Sequence, residues 1–124
     1  MNVTKDLVAA SSTPLVLGIL AENESYGYAI LKRISEVSGG QLEWTDGMLY
    51  PLLHRLERLG YIKAKWRSSE TGRRRKYYRI TKQGRQALAT RRSQWEMVDD
   101  ALRAIWQDMS LAASPRTKPL PHGG

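Results

Sequence analysis

Apolar positions along the chain recur mostly at intervals of three and four residues. They recur at intervals of two in only one central stretch, so the pattern predicts several helices and a single small sheet. Thr13-Pro14 has the form of a cap followed by a proline in the first helical position, and Leu15, Leu17, Ile19 and Leu20 then carry a first helix to about Glu22. Residues 3–12 are open to two readings, and Val3, Leu7 and Val8 fit a short amphipathic leader. Asn23-Glu24-Ser25 reads as a turn with Ser25 placed to cap. Gly27, Ile30, Leu31, Ile34 and Val37 then give a second helix to Ser38, stopped by Gly39-Gly40. Thr45 is a cap for a third helix whose apolar face is Leu49, Leu52, Leu53, Leu56 and Leu59, ended by Gly60. Pro51 lies inside that pattern. It removes one N–H and crowds the carbonyl four residues back, which belongs to Gly47, the least obstructive residue type.

The period then changes. Ile62, Ala64 and Trp66 alternate with Lys63, Lys65 and Arg67; after Ser68-Ser69-Glu70-Thr71-Gly72, Tyr78 and Ile80 alternate with Tyr77 and Arg79. This predicts an antiparallel hairpin with one apolar face on the helices and one basic, wet face. A lone hairpin is marginal in water and must lean on the helices. The leucines of the third helix, with Ile62, Ile80 and Trp66, are assigned to the core. Thr81 caps a long fourth helix in which Trp95, Val98, Leu102, Ile105 and Met109 are spaced by threes and fours, a heptad seam. A second copy of the chain is the expected cover for this seam; the alternative is packing on the chain's own first helix. Residues 110–124, with three prolines and two glycines, are expected to be a disordered tail. The expected organisation is a DNA-binding domain over 1–81, a dimerisation helix over 82–109 and that tail.

Composition adds exclusions. The 124 residues contain no cysteine, which rules out disulfides, cysteine-liganded metals and a thiol nucleophile. No apolar run reaches the roughly 20 residues of a membrane span, and the start lacks the basic-then-apolar order of a signal peptide, so a soluble cytoplasmic protein is expected. The net charge is +8, and its placement matters more than its size. Residues 63–85 hold ten cations and one carboxylate, while the rest of the chain holds ten cations and eleven carboxylates. Such segregation is the footprint of phosphate binding, against the plainer reading of a basic loop that keeps the chain soluble.

Three helices followed by a basic hairpin make a winged helix-turn-helix: a mainly α fold with a small β-hairpin, here extended by a long dimerisation helix. In that layout a capped amphipathic helix enters the major groove, the preceding helix braces it, and the hairpin reaches phosphates or a minor groove. Opposite the leucine stripe lie Asp46, Gly47, Met48, Tyr50, Pro51, His54 and Arg55, the expected base-reading face. Arg73, Arg74, Arg75 and Lys76 are expected on phosphates, with Tyr77 beside them. Tyr26 and Tyr28 stand at a helix N-terminus, itself favourable to phosphate; one hydroxyl is expected on the backbone and the other ring in the core. Tyr50 has packing against the wing as its competing role. Asp46 suits the helix dipole or a cytosine amino group. His54 is read as a donor to DNA.

Tyr26-Gly27-Tyr28, the block Gly47-Met48-Leu49-Tyr50-Pro51-Leu52-Leu53-His54-Arg55-Leu56-Glu57, and the block from Gly72 through Arg75-Lys76-Tyr77-Tyr78-Arg79-Ile80-Thr81 to Gly84 together resemble the PadR family of bacterial transcriptional regulators in its short form. The resemblance spans roughly residues 14–86. It implies a homodimer that represses genes from an operator with two half-sites, and an effector, such as a phenolic acid, a drug or another small molecule, that loosens DNA binding. Met48 departs from the threonine common in the family, which removes a hydroxyl contact; it can meet a thymine methyl or simply pack. In some relatives a tryptophan pair across the dimer stacks on flat aromatic compounds. Trp95 matches that position, with Leu15 and Val8 as the other wall, and plain interface packing is the competing role of Trp95 and Trp106.

Nothing supports catalysis: there is no nucleophile elbow, no phosphate-cradling glycine loop and no metal-ligand cluster, and no cofactor is expected. Two other classes remain as alternatives. One is an interaction module docking through the heptad helix. The other is sequence-indifferent nucleic-acid binding, for which Tyr77 is the clearest stacking aromatic.

Overall fold

The structure, a computed structural model, describes the backbone of residues 3–113 and side chains as far as Met109. Helix α1 runs over Lys5–Glu22, strand β1 over Ser25–Tyr26, α2 over Gly27–Val37, α3 over Asp46–Arg58, β2 over Ile62–Ser68, β3 over Arg74–Ile80 and α4 over Lys82–Ala113. Two compact units divide between Thr90 and Arg91, with α4 continuous across the division.

The first helix begins a full two turns earlier than the Thr13-Pro14 pair suggests. Thr4 is its cap, its hydroxyl accepting from the Leu7 N–H at 3.3 Å, and Pro14 lies inside the helix. Thr13 does not cap. It is buried, and its hydroxyl accepts from Arg55 Nη2 at 3.3 Å, joining α1 to α3. The leader of residues 3–12 is therefore mostly helix. At α1's C-terminal end, Arg33 of α2 donates to both carboxylate oxygens of Glu22, at 3.0 and 2.9 Å, which holds that carboxyl below its ordinary pKa.

A second difference is β1. Ser25 does not cap α2; it pairs with Tyr78, and Tyr26 pairs with Tyr77, so the sheet has three strands in the order β1-β3-β2. Tyr26 occupies the cap position of α2 without a side-chain bond. Thr45 caps α3 through its backbone alone, its carbonyl accepting from Met48 and Leu49 N–H. Gly39 and Gly40, at φ +60° and +82°, end α2 as the sequence predicts.

The core is built by helical stripes meeting one sheet face. Val16, Leu17 and Leu20 of α1, Ile30 and Ile34 of α2, and Leu49, Leu52, Leu53 and Leu56 of α3 close on Ile62, Tyr78 and Ile80. Burying each such aliphatic side chain contributes about 1.5–3 kcal/mol before ordering entropy. Trp44, in the α2–α3 connection, is also buried. Leu59 is not core: it is the C-cap of α3 and is 49% exposed, because the helix ends before its side of the stripe meets a neighbour. Thr81 caps α4 as predicted, accepting from Gly84 N–H at 3.0 Å while donating to the Gly60 carbonyl at 2.6 Å.

In the second unit α4 reaches Ala113, four residues past the expected end at Met109. Residues 114–124, most of the expected disordered tail, lie outside the described residues. Trp95 is half-buried, while Val98, Leu102, Ile105 and Met109 are 40–61% exposed.

Candidate nucleic-acid interface

The wing is longer than the alternation of tyrosines and isoleucines suggests. Arg74, Arg75 and Lys76 are not in the loop: they belong to β3, opposite Ser68, Arg67 and Trp66 respectively. Only Ser69–Arg73 turn the chain, closed by Ser69 N–H donating to the Arg73 carbonyl at 2.7 Å, with Gly72 at φ +83°. Directly paired residues share a face, so the register sorts the cations. On the face of Ile62, Ala64, Tyr78 and Ile80 stand Trp66, Lys76 and Arg74; on the other stand Lys63, Lys65, Arg67, Arg75, Tyr77 and Arg79.

The second face is not simply solvated. The rings of Tyr26 and Tyr77 meet edge to face at 5.3 Å, Arg75 lies over Tyr26 at 4.4 Å, and Arg67 lies over Tyr77 at 4.2 Å while pairing with Glu24 at 2.8 Å. This ladder fastens the wing to β1. Each cation–π contact contributes about 0.5–1 kcal/mol at such partly exposed sites. Tyr77 is thus occupied on one face by Arg67 and at an edge by Tyr26, which leaves it a poor platform for a single-stranded base. Tyr28, at 71% exposed, is the outward member of the helix-end pair, and Tyr26 packs on the wing rather than in the core.

The first face and α3 enclose a concavity of about 670 Å³. Tyr50 and His54 of α3, Tyr26, Gly27 and Tyr28 at the start of α2, and Trp66, Arg73, Arg74, Arg75, Lys76 and Tyr78 of the wing line it, and no carboxylate does. Tyr50 fills the gap over the α2 N-terminus so closely that a Cβ on Gly27 would collide with its hydroxyl. Beneath it, burial pushes the Tyr78 hydroxyl up to about 12, with lesser contributions from the charges of Tyr50 and Glu57.

The expected reading face of α3 therefore divides. Asp46, Gly47, Met48, Pro51, His54 and Arg55 are exposed and Tyr50 is half-buried. Tyr50 and His54 turn to the wing. Met48, Pro51 and Arg55 border a second groove, of about 830 Å³, shared with Lys5, Val8, Glu43 and Trp44. Of the expected effector residues, Val8 lines this second groove, Leu15 is partly buried against the core, and Trp95 belongs to α4 in the second unit.

Trp66 corrects the sequence reading most sharply. Assigned to the core, it is 54% exposed. It continues the alternation of Ile62 and Ala64 but lies where the helices no longer reach, and the Arg74 guanidinium lies over its ring at 5.2 Å. A tryptophan set among cations was the signal available in the sequence, and the alternation masked it. Among the described residues no group of His, Asp or Glu side chains could hold a metal, and no helix is long and apolar enough to cross a membrane.

A third helix presented beside a cationic wing, with no carboxylate lining the concavity between them, is the architecture of winged helix-turn-helix transcriptional regulators. Comparison with known proteins narrows the class. Residues 16–90 match the family described as Transcriptional regulator PadR-like family, and the chain belongs to that family, whose members are regulators and not enzymes. It is 31% identical over 104 residues to the transcriptional regulator YqjI of Escherichia coli, covering 84% of this chain but 48% of that protein. Among solved structures, a transcriptional regulator from Clostridium thermocellum superposes with a TM-score of 0.73 at 32% identity, covering 81% of this chain and 97% of the other. A PadR-like transcriptional regulator from Bacillus cereus gives 0.74 at 26% identity, over 83% and 98%.

Proposed function

We propose that the chain is a homodimeric repressor that binds an operator of two half-sites in duplex DNA and releases it when a small aromatic effector binds. In this reading α3 enters the major groove. His54, with Asp46, Gly47, Met48, Pro51 and Arg55, faces base edges, and Tyr50 braces the helix against α2. Arg73, Arg74, Lys76 and Tyr28 meet phosphates, while Arg75, Tyr26 and Tyr77 hold the wing in place. The observation that carries the reading is the concavity between α3 and the wing, where four cations and His54 converge with no carboxylate among the lining residues. A duplex supplies the matching array of phosphates.

The seam Trp95, Val98, Leu102, Ile105 and Met109 is assigned to the dimer contact, supported by the exposure of its last four members along one heptad stripe. Two-fold symmetry then places half-sites about 34–36 Å apart or at a multiple of that distance. The effector is assigned to Trp95, as a flat aromatic compound that stacks on its indole. Such a protein works in the cytoplasm, at the chromosome.

The test is selection of genomic fragments on the purified protein, followed by titration of a recovered duplex and a random one at equal salt. The recovered duplex should bind at least about 1,000-fold more tightly. Its affinity should fall steeply with salt, with a logarithmic slope of about −0.9 per phosphate neutralised. Arg73→Ala with Arg74→Ala should weaken both duplexes alike, whereas His54→Ala should narrow the difference between them. Equal affinity for the two duplexes, or an affinity indifferent to salt, would falsify the operator reading.

A further inference from the structure

An indole on a wing strand, half in solvent and ringed by cations, needs a reason. In the sheet register Trp66 faces Lys76, one step outward from the Ala64–Tyr78 pair that closes the core. The ring therefore points to the α3 side of the wing, beyond the last helix side chain able to cover it. Its company there is cationic and aromatic: Arg74 lies over it at 5.2 Å, and His54, Tyr50 and Lys76 share its concavity. Two other concavities among the described residues differ. The α1–α3 groove includes Glu43, and the α1–α2 surface includes Glu22, Glu24 and Glu36. Of the three, only the Trp66 surface pairs an exposed apolar ring with unopposed positive charge.

We propose that Trp66, with the Arg74 guanidinium laid over its indole, is a contact for duplex DNA in its own right. The indole packs on a deoxyribose at the rim of the groove that α3 enters, and the stacked cation meets the adjacent phosphate. A sugar–phosphate strand is the partner that alternates apolar sugar edges with anions at this scale. Stacking on the ring holds Arg74 in one orientation and so reduces the side-chain entropy lost when it binds. The contact is independent of base identity and sets how far the wing descends toward the duplex. It rests on the DNA reading above and assigns a residue and a role that reading does not require.

The test uses the full chain labelled with 5-fluorotryptophan and a duplex recovered by the genomic selection, with fluorescein anisotropy reporting binding in the same samples. Trp66→Phe identifies the Trp66 fluorine resonance by its loss. On saturation with duplex that resonance should shift and lose its sensitivity to exchange of H2O for D2O. Trp66→Ala should weaken the recovered and random duplexes alike by about tenfold, the scale of one lost stacking contact, with the melting temperature unchanged. Trp66→Phe should retain most of the affinity. Combined with Arg74→Ala, the Trp66→Ala effect should be less than multiplicative, because the two side chains act as one unit. If anisotropy reports binding while the Trp66 resonance stays unmoved, the inference is overturned and the DNA reading stands. A large fall in melting temperature for Trp66→Ala makes the ring structural and overturns it too. If no duplex binds, both fall together.

Discussion

Tyr78 shows how one buried hydroxyl makes the fold sensitive to alkali. Burial raises it from the ordinary tyrosine value of 10.0 to about 12, so the folded state holds the proton more tightly than the unfolded chain does. The sign follows: this contribution is fully present below pH 10 and is lost as pH climbs toward 12. By pH 11 the loss is roughly 1 kcal/mol. Urea unfolding of the parent and Tyr78→Phe at pH 8 and pH 11 should show the parent losing about that much more; equal losses would remove the effect. Two glycines give an opposed pair. A Cβ on Gly84 would strike the Tyr61 carbonyl oxygen, a backbone atom that cannot yield, whereas Gly18 in α1 has nothing within 4 Å of that position. Gly84→Ala should destabilise by about 1–3 kcal/mol as an overpacked contact. Gly18→Ala should stabilise by up to about 1 kcal/mol through helix propensity. Thermal melts of the two variants decide this, and a matching sign for both would refute it. At this scale the sequence was legible where a residue's neighbours were local. Leu49, Leu53 and Ile62 follow from periodicity, but Trp66 and Leu59 also fit their periods and are exposed, because a period gives direction and not the reach of what lies opposite.

Elements were legible in proportion to their length. Helices α2, α3 and α4 and both wing strands carry enough residues for a period to emerge; β1, with two, does not. Its partners on β3 lie about fifty residues away in sequence, and no local rule links Ser25 to Tyr78. The start of α1 was hidden for a different reason: Thr13-Pro14 has the form of a helix start, yet Thr13 is held inside by Arg55. That tertiary bond overrides the local signal, and through it Arg55, expected on DNA, also ties α3 to α1. The ladder of Arg67, Tyr77, Tyr26 and Arg75 acts at the same scale, since it joins the Tyr26 side chain of β1 to the exposed face of the wing. Tyr26→Ala should free Arg75 and loosen the distal wing. Amide exchange at Arg75 through Tyr77 should quicken by about tenfold, the loss of roughly 1.4 kcal/mol, while amides of Leu53 and Leu56 keep their protection. Unchanged exchange in β3 would show that the backbone pairing alone sets the wing.

For the whole molecule, the decisive quantity is how many copies act together, and the second unit frames it. Val98, Leu102, Ile105 and Met109 remain 40–61% exposed on a helix whose other faces carry the ion pairs Arg92–Glu96 and Arg103–Asp99. Those pairs are exposed and contribute only a few tenths of a kcal/mol each, so they do not account for a 32-residue helix by themselves. Under the proposed dimer, burying the seam against its equivalent in another copy would remove apolar surface worth about 25 cal/mol per Å² and would supply the missing stabilisation. A carboxylate at the centre of that seam would have to be desolvated without a partner. Leu102→Asp should therefore lower the mass seen by light scattering from twice 14.1 kDa to that of a single chain. It should also shorten α4 as read by circular dichroism, and weaken a two-half-site duplex far more than a half-site. Loss of mass without loss of two-site preference would mean that the duplex itself brings the copies together; a parent that scatters as 14.1 kDa at micromolar concentration would leave the seam without a partner of its own kind.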